Sequence, residues 1–233
     1  MGGAVLAGIS GAGKTTLFRR MGNAITSAGR EIVITLPQAM TTTCHLHFNN
    51  QPGRQAVEVL SWCDSAISFA ELVMNKALTG GLTTSKENYP YQWNPMLLLE
   101  GACFDIPLHD FDIKRDEIRS FEHRLAALGV VLVFLRVPEE RIQERCVQST
   151  RAHRGIGWSA HLDQLGADDP ARAAHFRAQQ ATLAQWVETS PMAKIVLDVT
   201  VLTIDAQVQT VMKTVDQHAL RFVERTTPIS LHH

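Results

Sequence analysis

Residues Gly8 to Thr15 read Gly-Ile-Ser-Gly-Ala-Gly-Lys-Thr and fit, without a mismatch, the phosphate-binding pattern of Gly, four residues and Gly-Lys-Ser/Thr. The run 4–9 before them is short and apolar, which is typical of a buried parallel strand. After them, Leu17, Met21 and Ile25 recur at every fourth position, which indicates a helix. A strand, a glycine-rich loop and a helix in this order predict a nucleotide-binding site.

The residue types of this loop indicate how it would bind phosphate. Glycines let the backbone curl so that its N–H groups point inward, and the start of the helix adds partial positive charge. Lys14 is expected to reach the outer phosphates, and Thr15 to offer its hydroxyl to Mg²⁺, so a nucleotide and Mg²⁺ are the expected ligands of the loop. The residues predicted to bind the nucleotide are Gly8, Ser10, Gly11, Ala12, Gly13, Lys14, Thr15 and Thr16.

Length and composition narrow the class of protein. The 233 residues suit one α/β domain with a full core, and the 45% hydrophobic content is ordinary for a globular protein. The net charge of −1 gives no sign of a nucleic acid polymer or a membrane as partner. Four scattered cysteines without a C-x-x-C pair, and no secretory signal or membrane-length apolar run, favour a reduced, cytoplasmic setting.

Strands and helices alternate in the hydrophobic pattern. Strands are predicted at 4–9, 31–36, 96–99, 130–135 and 195–197. Helices are predicted after Thr15, at 55–78, at 112–128, from 138, from 170 and at 203–222, with a frayed tail over 225–233. This alternation favours a parallel sheet covered by helices.

Two polar segments are candidates for binding a second substrate. The segment 38–52 follows the second strand, at the sheet edge where open α/β sheets bind ligands, and we expect Gln38 and Arg54 to contact substrate there. Its His45 and His47 are expected to contact substrate or solvent rather than a metal ion. In the loop before residue 94, aromatic rings such as Tyr91 and Trp93 either stack on a planar substrate or anchor the loop on the core.

Glu100 ends the third predicted strand, directly before Gly101. A carboxylate at the end of an apolar strand is costly unless it has a partner or a task. In a sheet of this kind that position faces the phosphate loop. Glu100 is therefore predicted to contact Mg²⁺, directly or through water, or to act as the general base; the alternative is an acid that caps the next turn. Asp105 is a weaker candidate.

Arginines are concentrated between positions 141 and 154, in a chain that is otherwise close to neutral. Arg145, Arg151 and Arg154 are predicted to hold the phosphates and the charge that develops in catalysis. The segment 151–169 shows no clear hydrophobic period and contains Gly155 and Gly157, so it is expected to be a mobile lid. The alternative is an ordinary solvated basic helix.

With these motifs in order, the chain resembles P-loop kinases of the nucleoside and nucleotide kinase group, nearest to the thymidylate kinase and deoxynucleoside kinase branch. The resemblance covers residues 3 to 220 in layout. It implies a three-layer fold with a five-stranded parallel sheet of order 2-3-1-4-5, helices on both faces and an arginine-bearing lid. Arg141 and Arg145 resemble the R-x-x-x-R that opens the lid of these kinases, and Asp198 lies where their adenine-side loop begins.

The resemblance also implies an activity. The implied reaction is transfer of the γ-phosphoryl group of ATP to a nucleoside or nucleotide, with Lys14, Glu100 and the lid arginines as catalytic residues. These kinases are often homodimers. However, they usually carry Arg after the third-strand acid, where this chain has Gly101, and often an acid where it has Gln38. A kinase of a sugar, an antibiotic or another metabolite therefore stays open as an alternative, as does a nucleotide-dependent regulatory ATPase.

Overall fold

The computed structural model describes residues 2–28, 33–37, 52–79, 96–109 and 111–226. Its five strands are β1 (Gly2–Ala7), β2 (Val33–Leu36), β3 (Met96–Glu100), β4 (Val130–Arg136) and β5 (Lys194–Asp198). Its helices are α1 (Lys14–Ser27), α2 (Pro52–Thr79), α3 (Arg115–Ala127), α4 (Ser149–His153), α5 (Ile156–Gln164), α6 (Asp169–Thr189) and α7 (Ile204–Thr226). Two 3₁₀ helices, Ala102–Leu108 and Glu139–Arg141, and a π-helix, Gln143–Gln148, complete the elements.

All strand pairs in the sheet are parallel, and the strand order is β2-β3-β1-β4-β5. The central strand β1 pairs with β3 on one side and with β4 on the other, and it is buried along its whole length. The predicted order 2-3-1-4-5 is therefore confirmed. In register, Leu6 of β1 lies opposite Glu100 of β3, which places the end of β3 beside the start of the phosphate loop.

Each face of the sheet carries its own hydrophobic core. On one face α2, α3 and the C-terminal half of α6 pack against Val5, Leu97 and Leu132. On the other face α1 and α7 pack against Ala4 and Leu98. The predicted covering of both faces by helices is thus confirmed. Alternate residues of the strands point to opposite cores, which is why the strands are apolar without a polar side.

Several predicted boundaries differ from the structure. The third helix starts at Arg115 instead of 112, because a 3₁₀ helix and an extended segment precede it. The predicted helix from 138 is a short 3₁₀ helix followed by a π-helix, and the last helix extends to Thr226. The segment 151–169, predicted to be a mobile lid because it shows no clear hydrophobic period, consists of the end of α4 and the whole of α5 before α6 begins. Within the described ranges, no helix is long and apolar enough to cross a bilayer.

Candidate active site

The phosphate loop connects β1 to α1 and is shaped by two glycines with positive φ. Gly11 has a φ of 87° and Gly13 a φ of 99°, which side chains other than glycine rarely adopt. A Cβ atom on Gly11 would lie 2.8 Å from the carbonyl oxygen of Arg145. The loop therefore rests directly on the π-helix that follows β4, and glycine is required at this contact.

Lys14 opens α1 and is 5% exposed, so its ammonium group needs partners inside the protein. Its Nζ donates to the carbonyl oxygen of Gly8 at 2.5 Å and lies 3.5 Å from that of Ile9. It also forms an ion pair with Asp105, with 3.7 Å between Nζ and Oδ1. The ammonium group thus lies against the carbonyl oxygens of its own loop. The sequence pattern of the loop predicts that the outer phosphates of a nucleotide bind at this place.

Thr15 and Glu100 are brought together by the fold. The Thr15 hydroxyl donates a hydrogen bond to Oε1 of Glu100. Glu100 is the last residue of β3 and is 2% exposed, whereas Thr15 is exposed at the first turn of α1. The Glu100 carboxylate therefore lies on the side of the sheet edge that carries the phosphate loop, where the sequence analysis predicted it.

This pair of side chains fits Mg²⁺. A hydroxyl and a carboxylate within hydrogen-bonding distance are hard oxygen donors, which Mg²⁺ prefers, and Mg²⁺ usually takes its remaining ligands from water and phosphate. Among the described residues there is no group of three or more His, Cys, Asp or Glu side chains able to hold a metal ion by themselves.

The turn after Glu100 brings a second carboxylate to the loop. Gly101 has a φ of 74° and its N–H donates to the carbonyl oxygen of Leu6 at 2.8 Å. The following 3₁₀ helix carries Asp105, which is 0% exposed. A Cβ atom on Gly101 would lie 2.0 Å from Oδ2 of Asp105, so the carboxylate occupies the space that a side chain at position 101 would need.

Arg154 is the predicted lid arginine that the structure places at the loop. Its Nη1 lies 3.3 Å from Oγ of Ser10, and its guanidinium stacks on the Trp158 ring at 4.4 Å from the ring centroid. Arg154 is exposed, but partial desolvation beside the loop lowers its pKa, while Cys146 and then Glu100 act in the opposite direction. Trp158 thus holds the arginine over the loop.

Arg151 is directed to a different set of partners. Its Nη2 donates to Oδ1 of Asp163 at 2.5 Å, and its Nε lies 3.8 Å from Asp169. Arg172 binds the same two carboxylates, at 3.0 Å and 2.8 Å. These four side chains join α4, α5 and α6.

Arg141 and Arg145 lie on the segment after β4. Arg141 is exposed and pairs with Glu144 at 2.9 Å. The pKa of Asp198, at the end of β5, is lowered mainly by hydrogen bonds from Thr200 and in smaller part by the charges of Arg136 and Arg145.

The remaining predicted residues divide into two groups. Gly8, Ala12 and Thr16 lie in the loop or the first turn of α1. The predicted substrate contacts and the two histidines lie outside the residues whose side chains the structure describes: Gln38, His45, His47, Arg54, Tyr91 and Trp93. The predictions for that group remain predictions.

Two contacts of the loop were not identified from the sequence. Cys146 is buried with its Sγ 3.1 Å from the position of a Cβ on Gly11, and burial raises its pKa to about 12. Asp105 was considered only as a weak candidate, and its contact with Lys14 was not predicted. The glycine directly after Glu100 is the one signal in the sequence that points to it.

No protein-family model and no curated protein matches the chain. Several solved protein structures, however, are similar to this chain in fold. The YorR protein from Bacillus subtilis, in complex with phosphorylated GDP, is 10% identical with a TM-score of 0.55, over 99% of each chain. A gluconokinase from Sinorhizobium meliloti 1021 is 14% identical with a TM-score of 0.51, over 97% of this chain and 98% of that one. At such low identity the likeness shows the fold alone: this chain shares with these two proteins an α/β fold with a five-stranded parallel sheet of order 2-3-1-4-5.

Proposed function

We propose that this chain is a P-loop kinase that transfers the γ-phosphoryl group of ATP to a small molecule, with Mg²⁺. One observation carries the proposal: the Thr15 hydroxyl contacts the Glu100 carboxylate beside the buried Lys14. A phosphate loop alone indicates nucleotide binding. A carboxylate placed at that loop by a neighbouring strand adds the group that phosphoryl transfer requires.

The loop and Lys14 would bind and orient the nucleotide. Backbone N–H groups of residues 8–15 and the start of α1 provide partial positive charge for the β- and γ-phosphate oxygens. The Lys14 ammonium, now on the carbonyl oxygen of Gly8, is close enough to exchange that partner for phosphate oxygens. Bound Mg²⁺ would supply charge neutralisation between the phosphates, with Thr15 and Glu100 as its protein contacts.

Glu100 and Arg154 would act on the reacting groups. A carboxylate at the loop can accept the proton of the attacking hydroxyl, or hold a water molecule of the metal. Arg154, which lies over Ser10, would neutralise charge on the transferring phosphoryl group. Trp158 fixes the guanidinium by stacking and so reduces the entropy lost when it binds.

The leading acceptor class is a nucleoside or nucleotide. The resemblance to nucleoside and nucleotide kinases supports it, and so does the fold shared with a protein whose complex contains phosphorylated GDP. The acceptor would contact Gln38, Arg54, Tyr91 and Trp93, which lie after β2 and before β3 in the sequence.

A second acceptor class is a sugar or another metabolite without a base. Two observations favour it: the fold is shared with a gluconokinase, and position 101 cannot carry the arginine that nucleoside kinases place there. The Asp105 carboxylate fills the space that this side chain would need.

A transfer assay separates these proposals. Purified protein is incubated with ATP labelled in the γ-phosphate, Mg²⁺ and panels of nucleosides, nucleotides, sugars and sugar acids. Label on a nucleoside or nucleotide supports the first acceptor class, and label on sugars or sugar acids alone supports the second. Hydrolysis of ATP without label on any acceptor in the presence of Mg²⁺ would contradict the kinase proposal and favour a regulatory ATPase.

A further inference from the structure

The buried Asp105 carboxylate is a feature that the catalytic roles above leave unused. It is 0% exposed, and a carboxylate removed from water is very costly unless a positive charge lies close to it. The Lys14 ammonium, itself 5% exposed, is 3.7 Å from Oδ1. Each of these two charges therefore offsets the cost of burying the other.

The backbone between Glu100 and Asp105 is arranged so that this pair can form. Gly101 has a φ of 74° and Ala102 a φ of 48°, so two successive residues adopt positive φ, the second against the preference of a residue with a side chain. The turn lets the 3₁₀ helix fold back, and the Asp105 carboxylate fills the space beside Gly101. Backbone strain next to a site is retained when the surrounding contacts require it.

The position of Lys14 gives this pair a consequence for nucleotide binding. The ammonium group donates to Gly8 of its own loop while it faces Asp105. When a triphosphate occupies the loop, its oxygens provide the negative charge next to the Lys14 ammonium group. In the nucleotide-free protein, Asp105 provides that charge. The free energy of the Lys14–Asp105 attraction is then lost or shared, and this loss subtracts from the affinity for nucleotide.

We propose that Asp105 is a positioning residue that holds Lys14 in the nucleotide-free protein and is exchanged for phosphate on binding, so that it sets the affinity for nucleotide through Lys14. The inference rests on the proposed function, because that function identifies the ligand as a nucleotide. The Lys14–Asp105 ion pair does not depend on the proposed function, so nucleotide binding and the ion pair are tested in separate experiments.

The first experiment measures binding of the β,γ-imido analogue of ATP, with Mg²⁺, by titration calorimetry. Asp105→Asn keeps the size of the side chain and removes its charge. The expected result is a dissociation constant at least about fivefold lower than that of the wild type, because Lys14 no longer leaves a partner to bind phosphate. An unchanged or higher dissociation constant in a folded Asp105→Asn protein would overturn the proposal.

Glu122→Gln is the matched control. Glu122 is also 0% exposed and is paired with Arg115 at 2.6 Å, but it lies on α3, away from the loop. Its replacement is expected to lower thermal stability with and without nucleotide while leaving the dissociation constant unchanged. A tighter-binding Glu122→Gln variant would show that loss of any buried carboxylate raises affinity, and would contradict a specific role for Asp105.

The second experiment measures the ion pair without any nucleotide. In the wild-type background Asp105→Asn is expected to lower the melting temperature, because Lys14 loses its counter-charge. In the Lys14→Met background, which keeps the aliphatic stem, the same substitution is expected to lower the melting temperature much less, because the attraction between Lys14 and Asp105 is already absent. A decrease of similar size in both backgrounds would contradict the pairing, whatever ligand the protein binds.

Discussion

The Thr15 hydroxyl donates a hydrogen bond to the Glu100 carboxylate, although 85 positions separate the two residues in the sequence. The parallel pairing of β1 with β3 produces this contact, because it aligns the end of one strand with the loop that leaves the other. The hydroxyl oxygen of Thr15 and the carboxylate of Glu100 are thus already close together before a nucleotide and Mg²⁺ bind. This proximity reduces the reorganisation of the protein that phosphoryl transfer would need.

Glu100→Gln is expected to lower kcat by about 10²–10⁴-fold with little change in fold, because the amide neither accepts a proton nor carries the charge of a metal ligand. Steady-state transfer of labelled phosphate and circular dichroism measure the two effects. Thr15→Ser keeps the hydroxyl and is expected to retain activity, whereas Thr15→Ala is expected to lose most of it. Equal activity of Thr15→Ser and Thr15→Ala would show that the hydroxyl is not used.

Arg154→Ala is expected to reduce kcat by about 10²–10³-fold, since it removes the guanidinium that lies over Ser10. Arg151→Ala is expected to reduce kcat less, because that guanidinium is already held by Asp163 and Asp169. Arg19→Ala, on the exposed side of α1, serves as the charge-matched control. A larger loss of kcat in Arg151→Ala than in Arg154→Ala would reverse the assignment of these two arginines.

Gly101→Ala is expected to lower the free energy of unfolding by about 2–4 kcal/mol, because it combines an unfavourable positive φ with overpacking. The methyl group would lie 2.0 Å from the Asp105 carboxylate. Urea denaturation measures the change. Gly157→Ala is the control, because a Cβ there meets no atom within 4 Å. A Gly101→Ala protein as stable as the control variant would contradict the geometry of this turn.

Cys146 is expected to make stability depend on alkaline pH. The thiol ionises near 9.0 in the unfolded chain, and burial raises its pKa to about 12 in the folded protein. Between these values the folded state binds more protons, so the free energy of unfolding falls as pH rises from about 9 towards 12. Cys146→Ser removes this group, and a shallower pH dependence is expected in urea titrations. An identical slope in both proteins would contradict the raised pKa.

Much of the fold could be predicted from the sequence, because its signals are local. The glycine pattern at 8–15 and the continuous apolar runs at 96–99 and 130–135 specify a loop and buried parallel strands without further information. The position of Glu100 then follows from the order of the strands.

The segment from Glu139 to Asp169 could not be predicted correctly, because distant contacts determine its structure. The π-helix at Gln143–Gln148 fits against Gly11 of the phosphate loop, a contact that no periodicity in its own residues indicates. The helices after it are joined by Arg151, Asp163 and Arg172, whereas the missing hydrophobic period and the glycines of this segment indicate a mobile lid when considered alone. The pairing of Asp105 with Lys14 depends likewise on the turn at Gly101.

The most direct test of the central claim compares phosphoryl transfer by the wild-type protein with transfer by Lys14→Ala, using γ-labelled ATP, Mg²⁺ and the acceptor found in the panel assay. Lys213→Ala, on the exposed side of α7, is the control for loss of a lysine. We predict that transfer is lost in Lys14→Ala, while its circular dichroism spectrum stays that of the folded protein, and that Lys213→Ala transfers at the wild-type rate. Undiminished transfer by Lys14→Ala would contradict the proposal that this loop binds the phosphates of the donor.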